Sequence, residues 1–379
     1  MKIIHLSDLH LGKRLENYNL KEDQEHILIQ ILKIITDEKP DAVIIAGDVY
    51  DKSVPTVDAV TMFDWFLVKL ASQDLQVYVI SGNHDSPERL AFGESLMSNK
   101  GIHISPVYSG EVSAIRQQDE YGAVNFYLLP FIKPFHVKRY FPDAEIGSYT
   151  DAMRTVIDSL NVDKSERNVL IAHQFVTGAK RSESEEVSVG GLDNVDASVF
   201  DCFDYVALGH IHSPQNIGSE HIRYCGTPLK YSFSEVDQEK SVTVIEMREK
   251  RNTDIRCVPL YPLHDMNVIR GTFEEITSSE FYSGTGYQDD YMRIILTDED
   301  DIPDAAAKLR IIYQNLVRIE YDNTRTRHRA ELGLAEEVNN KSPLELFSEL
   351  YISQNGMPFS EEQEKYLKNV IEEIWEDQE

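Results

Sequence analysis

The stretch Lys2-Ile3-Ile4-His5-Leu6-Ser7-Asp8-Leu9-His10 is a short strand-like apolar run that ends on an acid and an imidazole two residues apart. Side chains alternate along an extended chain, so Asp8 and His10 face the same way from the strand end. The design recurs: Ala42 to Ala46 runs into Gly47-Asp48, and Val77 to Ile80 runs into Gly82-Asn83-His84-Asp85. Between these runs the spacing is helical. Asp23 to Asp37 places Ile27, Ile31, Ile34 and Ile35 on one side, and Thr56 to Leu70 carries Val60, Phe63, Phe66, Leu67 and Leu70. This β-α-β-α-β order predicts an α/β layered core with a largely parallel sheet, whose strand ends deliver polar side chains to one edge.

After Asn99 short strands dominate, at Val124 to Leu129, Val169 to Ala172, Val206 to Leu208, Ile222 to Cys225 and Val242 to Met247, with one helix at Thr150 to Leu160. They predict a second sheet packed on the first, a two-sheet sandwich flanked by helices. Pro259 to Pro262 breaks the pattern, giving a first domain of residues 1–262. A small α+β domain is expected at 263–325, with strands at Asn267, Tyr291 and Leu316 and helices at Phe273 to Phe281 and Ala305 to Tyr313. Residues 326–340 read as a polar linker, and 341–379 as a helical segment.

In that last segment Ser342-Pro343-Leu344-Glu345 has the pattern of a capping box, with proline at the first helical position. Leu346, Phe347 and Leu350 follow on one face, and Tyr366, Leu367, Val370, Ile371, Ile374 and Trp375 form one stripe of a second helix. Two readings stand: packing on the chain's own body, or a hairpin that docks a partner's helices. The polar linker before the segment favours docking.

A chain of 379 residues with 41% hydrophobic content supports a large core and more than one domain. No apolar run approaches the ~20 residues needed to span a bilayer. The N-terminus enters a strand rather than a signal-peptide core, and Cys202, Cys225 and Cys257 form no pair at disulfide or CxxC spacing. Both features fit a reducing cytoplasm. The net charge of −28 runs against nucleic-acid binding, which normally leaves a basic footprint. Bound cations would offset part of that charge, and residues 331–379 hold thirteen acids against three lysines. That acidic tail suits a basic protein partner.

Two further motifs, Ala172-His173-Gln174 and Gly209-His210-Ile211-His212, also follow apolar runs. A lone Asp-x-His or Gly-Asp is common and reads as structural, whereas Gly-Asn-His-Asp, and Gly-His-x-His after a strand, are more specific. All five in order point to a centre for two divalent ions. We assign Asp8, His10, Asp48 and His212 to one ion and Asp48, Asn83, His173 and His210 to the other, with Asp48 as the bridge. Mixed imidazole and carboxylate ligation suits Mn, Fe or Zn better than Mg or Ca. Ions about 3.5–4 Å apart activate water and polarise a phosphoryl group. His84, expected to point away from the ions, is left to protonate the leaving oxygen or stabilise developing charge, and Asp85 to orient it. The other histidines read as ordinary, His136 being the strongest exception because it sits among Lys133, Lys138 and Arg139.

Asp8-x-His10, Gly47-Asp48-x-x-Asp51, Gly82-Asn83-His84-Asp85 and Gly209-His210-x-His212 resemble the calcineurin-like metallophosphoesterase superfamily. Met1 to Gly12, Ser188-Val189-Gly190-Gly191 and Gly226 to Phe233 narrow the resemblance to the SbcD family of bacterial DNA nuclease subunits. It covers residues 1 to about 245; beyond that the match is one of position and pattern only. The resemblance implies a manganese-dependent nuclease, a homodimer bound to the coiled-coil ATPase SbcC in a heterotetramer. Its implied activities are ATP-regulated double-strand exonuclease and single-strand or hairpin endonuclease. It carries the ligand roles onto the residues above and the transition-state role onto His84. No ligand position departs from the pattern, but Asp51 stands where archaeal and eukaryotic relatives often have His. Lys13, Arg14, Arg89, Lys133, Lys138, Arg139, Lys180 and Arg181 are the candidate DNA contacts. The alternatives are a phosphoprotein phosphatase or small-molecule phosphodiesterase of the same superfamily, and a binding scaffold with a dead site. Against the phosphatase, Val49-Tyr50-Asp51-Lys52 lacks the Arg usual after the bridging Asp, and Asp85 stands where Glu is usual.

Overall fold

The structure, a computed structural model, describes residues 1–182, 185, 194–324, 326, 342–355 and 358–376. Ser188 to Gly191 and, except for Thr326, the expected linker lie outside these residues. The described residues form two compact units, one running to Met266 and the other starting at Asn267.

The first unit is built on two six-stranded sheets. In one, Lys2–Leu6 is followed on one side by Ala42–Ala46, Gln76–Ile80 and Ile102–Ile104, all parallel. On its other side Ser241–Met247 and Thr253–Pro259 add antiparallel. In the second sheet Gly122–Leu128, Arg167–His173, Tyr205–Gly209 and Ser219–Tyr224 are parallel, with antiparallel edges Ala114–Asp119 and Gln215–Ile217.

Alternation along the strands builds the layers. Ile3, Ile44, Tyr78, Phe126, Ile171 and Ala207 meet between the two sheets. Their neighbours Tyr127, Leu170, Val206 and Leu208 face outward onto Met153 and Val156 of the Tyr149–Ser159 helix. Strands buried on both faces need continuous apolar runs, which is why these read without alternation of polarity. Each such side chain stabilises by about 1.5–3 kcal/mol, and a one-residue slip would turn all of them to the wrong face. The register is therefore firmly held. It places Ala46 beside Ile80 in one sheet and Gly209 beside His173 in the other, at the ends that carry the polar motifs.

The second unit has a three-stranded sheet of Met266–Gly271, Tyr291–Leu296 and Leu316–Tyr321. Ile276, Ile294, Leu309 and Tyr313 lie in its core. The single helix expected at Phe273 to Phe281 is two, Phe273–Thr277 and Ser279–Tyr282, because Ser278 is extended at φ −69°, ψ 137°. Further along, Pro343–Asn355 and Glu361–Glu376 form the two terminal helices. Ser342 Oγ accepts from Glu345 N at 3.2 Å, and Glu345 accepts from Ser342 N at 2.7 Å, a reciprocal cap. Ile371 is buried, Leu367 and Val370 are half-buried, and Phe347, Leu350 and Tyr366 are exposed. The side chains of Leu346, Ile374 and Trp375 lie outside those described. No described helix is long and apolar enough to cross a membrane.

Candidate metal centre

Four of the polar residues at the strand ends sit in left-handed backbone: Asp8 (φ 53°), His10 (42°), Asp48 (48°) and His210 (99°). Such conformations are costly for residues with a Cβ and cluster at functional sites. Here tight turns aim the side chains inward. Close approach demands glycine at two of these turns: a Cβ on Gly82 would lie 2.0 Å from Asp48 Oδ1, and one on Gly209 1.9 Å from Ala46 O.

The candidate ligand atoms gather around Asp48 Oδ2. It lies 3.3 Å from His173 Nε2, 3.6 Å from His10 Nε2 and 4.0 Å from His84 Nε2. On one side His10 Nε2 faces His212 Nε2 at 3.2 Å. On the other, Asn83 Oδ1 is 3.0 Å from His173 Nε2 and 2.9 Å from His210 Nδ1. The atoms of Asp8, His10 and His212 lie within 4.8 Å of one another, as do those of Asp8, Asp48 and His173. Asp8 thus reaches both groups.

Backbone partners fix the ring orientations. His173 Nδ1 meets Ala46 O at 2.9 Å, and a carbonyl only accepts, so Nδ1 carries a proton and Nε2 is the nitrogen turned to the centre. Asp8 Oδ1 accepts from His210 N, while Oδ2 is buried and has no hydrogen-bond partner among the described residues. An uncompensated buried carboxylate oxygen among imidazole lone pairs is a poor site for water and a good one for cations. The donor set therefore fits divalent metals.

The electrostatics agree. Burial raises the Asp8 carboxyl to about 6. Burial opposes the charge on Asp48, but His173, His84 and His10 outweigh it and hold that carboxyl well below the usual range. Burial likewise opposes a proton on His173, but Asp48 raises it to about 9. Burial keeps His10 and His210 neutral to well below the usual range. In the metal-free protein, then, a proton on His173 partly stands in for a cation.

Two expectations are corrected. His84 points into the centre rather than away from it. Its ring is edge-on to His10 at 5.0 Å and 19% exposed, with Nε2 toward Asp48. Asp85 does not orient His84. Its carboxylate accepts from Val49 N (3.0 Å), Tyr50 N (2.9 Å) and Gly82 N (3.0 Å), tying two strand-end turns together. His84 Nδ1 meets the backbone carbonyl of Asp51 at 3.1 Å instead. His136 is structural: its Nδ1 accepts from Lys133 N at the start of the Pro134–Lys138 helix.

Among the candidate DNA contacts, Lys13 is tied to the centre. Its ammonium pairs with Asp51 at 2.8 Å, and Asp51 Oδ1 is 3.8 Å from His10 Nδ1. Arg14 donates to Asn17 O, Arg89 to Ser53 O, and Arg181 lies over the Phe175 ring at 3.6 Å. Lys138, Arg139 and Lys180 are exposed. The Gly226 to Phe233 stretch wraps His10 and His212: Tyr231 OH donates to Leu9 O at 2.5 Å, its ring 5.7 Å from that of His10.

The calcineurin-like phosphoesterase family model matches residues 1–214. The model described as the type 5 capsule protein repressor C-terminal domain matches residues 262–355. A protein of Staphylococcus epidermidis, named as the SbcD component of the SbcCD nuclease, is 35% identical over 323 residues, 84% of this chain and 85% of that protein. A solved dimetal phosphatase from Danio rerio matches 69% of this chain and 99% of its own, but at 12% identity and a TM-score of 0.39 it carries no argument. The relative at 35% identity and the phosphoesterase match over more than half the sequence place this chain in the SbcD family of metal-dependent nuclease subunits.

Proposed function

We propose that the chain hydrolyses DNA phosphodiesters at a two-metal centre, as the nuclease subunit of a complex with an SbcC-type coiled-coil ATPase. In this reading it acts as a double-strand exonuclease and a single-strand or hairpin endonuclease, gated by the partner's ATP. The observation that carries the chemistry is Asp48 Oδ2, which sits between two groups of ligand atoms with His84 Nε2 4.0 Å away. Bound ions, most simply manganese, supply an activated water and polarised phosphoryl oxygens. The protein's part is positional. Asp8, His10, Asp48 and His212 hold one ion, and Asp48, Asn83, His173 and His210 the other. His84, steered by Asp51 O, gives a proton to the leaving oxygen. Lys13 and the other basic residues named above contact the DNA backbone. Manganese-supported cleavage of hairpin DNA, with a phosphopeptide left intact, is the expected result; the reverse selectivity contradicts the reading.

The same reading includes the division into 1–262, 263–325, 326–340 and 341–379, a cytoplasmic location and a homodimer. Val57, Phe92 and Leu96 are exposed apolar residues of the first unit and are available for self-association. The terminal helices dock the ATPase. Phe347 and Tyr366 line a groove between them and are exposed, which few side chains of a self-packed hairpin would be. Removing residues 341–379 is expected to abolish co-purification with an SbcC-type partner and leave metal content unchanged. Undiminished co-purification would end the docking claim.

Protons compete with ions for these ligands. Asp8 takes up its proton as pH falls through about 6, so metal affinity and rate are expected to drop below that point. At pH 7 His173, raised to about 9, must give up its proton to an ion. Calorimetry in buffers of different ionisation heat should therefore show release of about one proton on loading. A rate flat down to pH 5, or loading without proton release, contradicts the assignment.

A further inference from the structure

His212 is enclosed by groups that the metal chemistry does not require as ligands. Its Nδ1 is 3.5 Å from Glu235 Oε1, and its backbone N donates to Glu185 Oε1 at 2.6 Å. Its carbonyl accepts from Thr227 N at 3.1 Å and from Lys240 Nζ at 2.9 Å. Lys240 Nζ in turn pairs with Glu235 Oε2 at 2.6 Å and donates to Thr227 Oγ1 at 2.7 Å. Glu235 is fully buried and Lys240 nearly so. A buried ion pair is a weak source of net stability, because desolvation cancels much of its attraction. This one touches both the ring and the backbone of a single ligand histidine.

We infer that Glu235 is a positioning residue for the ion held by His212, with Lys240 fixing the carboxylate in place. The inference rests on the two-metal reading above. A carboxylate opposite Nδ1 keeps the proton on that nitrogen. The Nε2 lone pair is thereby committed to the centre, where it faces His10 Nε2 at 3.2 Å. The clamp on the His212 carbonyl stops the ring from withdrawing with its turn. Glu235 and Lys240 lie just beyond the Gly226 to Phe233 stretch, so one segment supplies the Tyr231 wall, Thr227 and the ion pair.

Breaking one half of a buried pair strands a charge, so both charges are removed together. In the full-length protein, Glu235→Gln with Lys240→Met keeps an oxygen that can accept from Nδ1. Glu235→Leu with Lys240→Met removes it. Manganese titration by calorimetry of the unaltered protein is expected to show two ions bound. The glutamine double variant, which loses the Lys240 clamp but keeps an acceptor for Nδ1, should weaken one ion clearly less than the leucine double variant does and leave the other unchanged. The leucine double variant should bind one ion about 10–100-fold more weakly and leave the other unchanged. Equal affinities in the two double variants overturn the inference, because a purely structural pair would not distinguish them. No binding by the unaltered protein would instead fail the metal reading itself. A second measurement does not depend on how the variants fold. Long-range ¹H–¹⁵N spectra of the zinc-loaded unaltered protein should show His212 protonated at Nδ1 and coordinated through Nε2. Coordination through Nδ1 overturns the inference.

Discussion

Asp48→Ala is expected to remove nuclease activity by at least about 10³-fold, the equivalent of about 4 kcal/mol of charge stabilisation lost from the transition state. Asp48 Oδ2 lies within 4.0 Å of three of the centre's imidazoles, those of His173, His10 and His84. Without it Asp8 is the carboxylate left within reach of both ligand groups, and the ions lose the group between them that offsets their mutual repulsion. Metal analysis should therefore find fewer ions per chain as well as lower activity. The variant carries an independent signature. Burial opposes a proton on His173, and Asp48 is what overcomes it. Removing Asp48 should return the His173 imidazole to the neutral form at pH 7, a change that NMR titration of the metal-free protein reads directly. Full metal content with full activity in Asp48→Ala would end the proposal of a two-metal enzyme.

His84→Gln is expected to reduce kcat by about 10²–10⁴-fold with metal content unchanged, the range for a single general acid. Its Nδ1 is occupied by Asp51 O, which leaves Nε2 for the reacting centre. A proton donor to the leaving oxygen matters most when that oxygen is basic. The defect should therefore shrink severalfold on an activated diester with an acidic phenol leaving group, compared with DNA. Two results count against this role. Loss of metal equal to the loss of activity would make His84 a ligand, and an equal defect on both substrates would limit it to steadying charge on phosphorus.

Much of the site was legible because it is written locally. A β-branched run followed within a few residues by Asp, Asn or His marks a buried strand that ends at a sheet edge. Asp8, Asp48, Asn83, His173, His210 and His212 all follow this rule. The second unit was readable for the same reason, except at Ser278, where one extended residue divides a helix whose apolar spacing runs on unbroken. Asp85 misled because it adjoins His84 in sequence. Neighbours on a tight turn point apart, and three backbone N–H groups from two turns claim its carboxylate. The partner of His84 Nδ1 is a main-chain carbonyl, which carries no side-chain signal. Glu235 and Lys240 lie among ordinary charged residues, and nothing in their spacing marks them as buried.

The sequence alone thus determined which residues stand at strand ends and what chemistry they offer, because strand periodicity and apolar burial act over a few residues. The tertiary structure decided what those residues do to one another. His173 is set by Ala46, 127 positions away, His10 meets His212 across 202, and Asp8 accepts from the His210 amide across another 202. Ring tautomer, the shared position of Asp48 and the inward turn of His84 depend on hydrogen bonds between two sheets. Those bonds form only when packing brings the two sets of strand ends to the same edge.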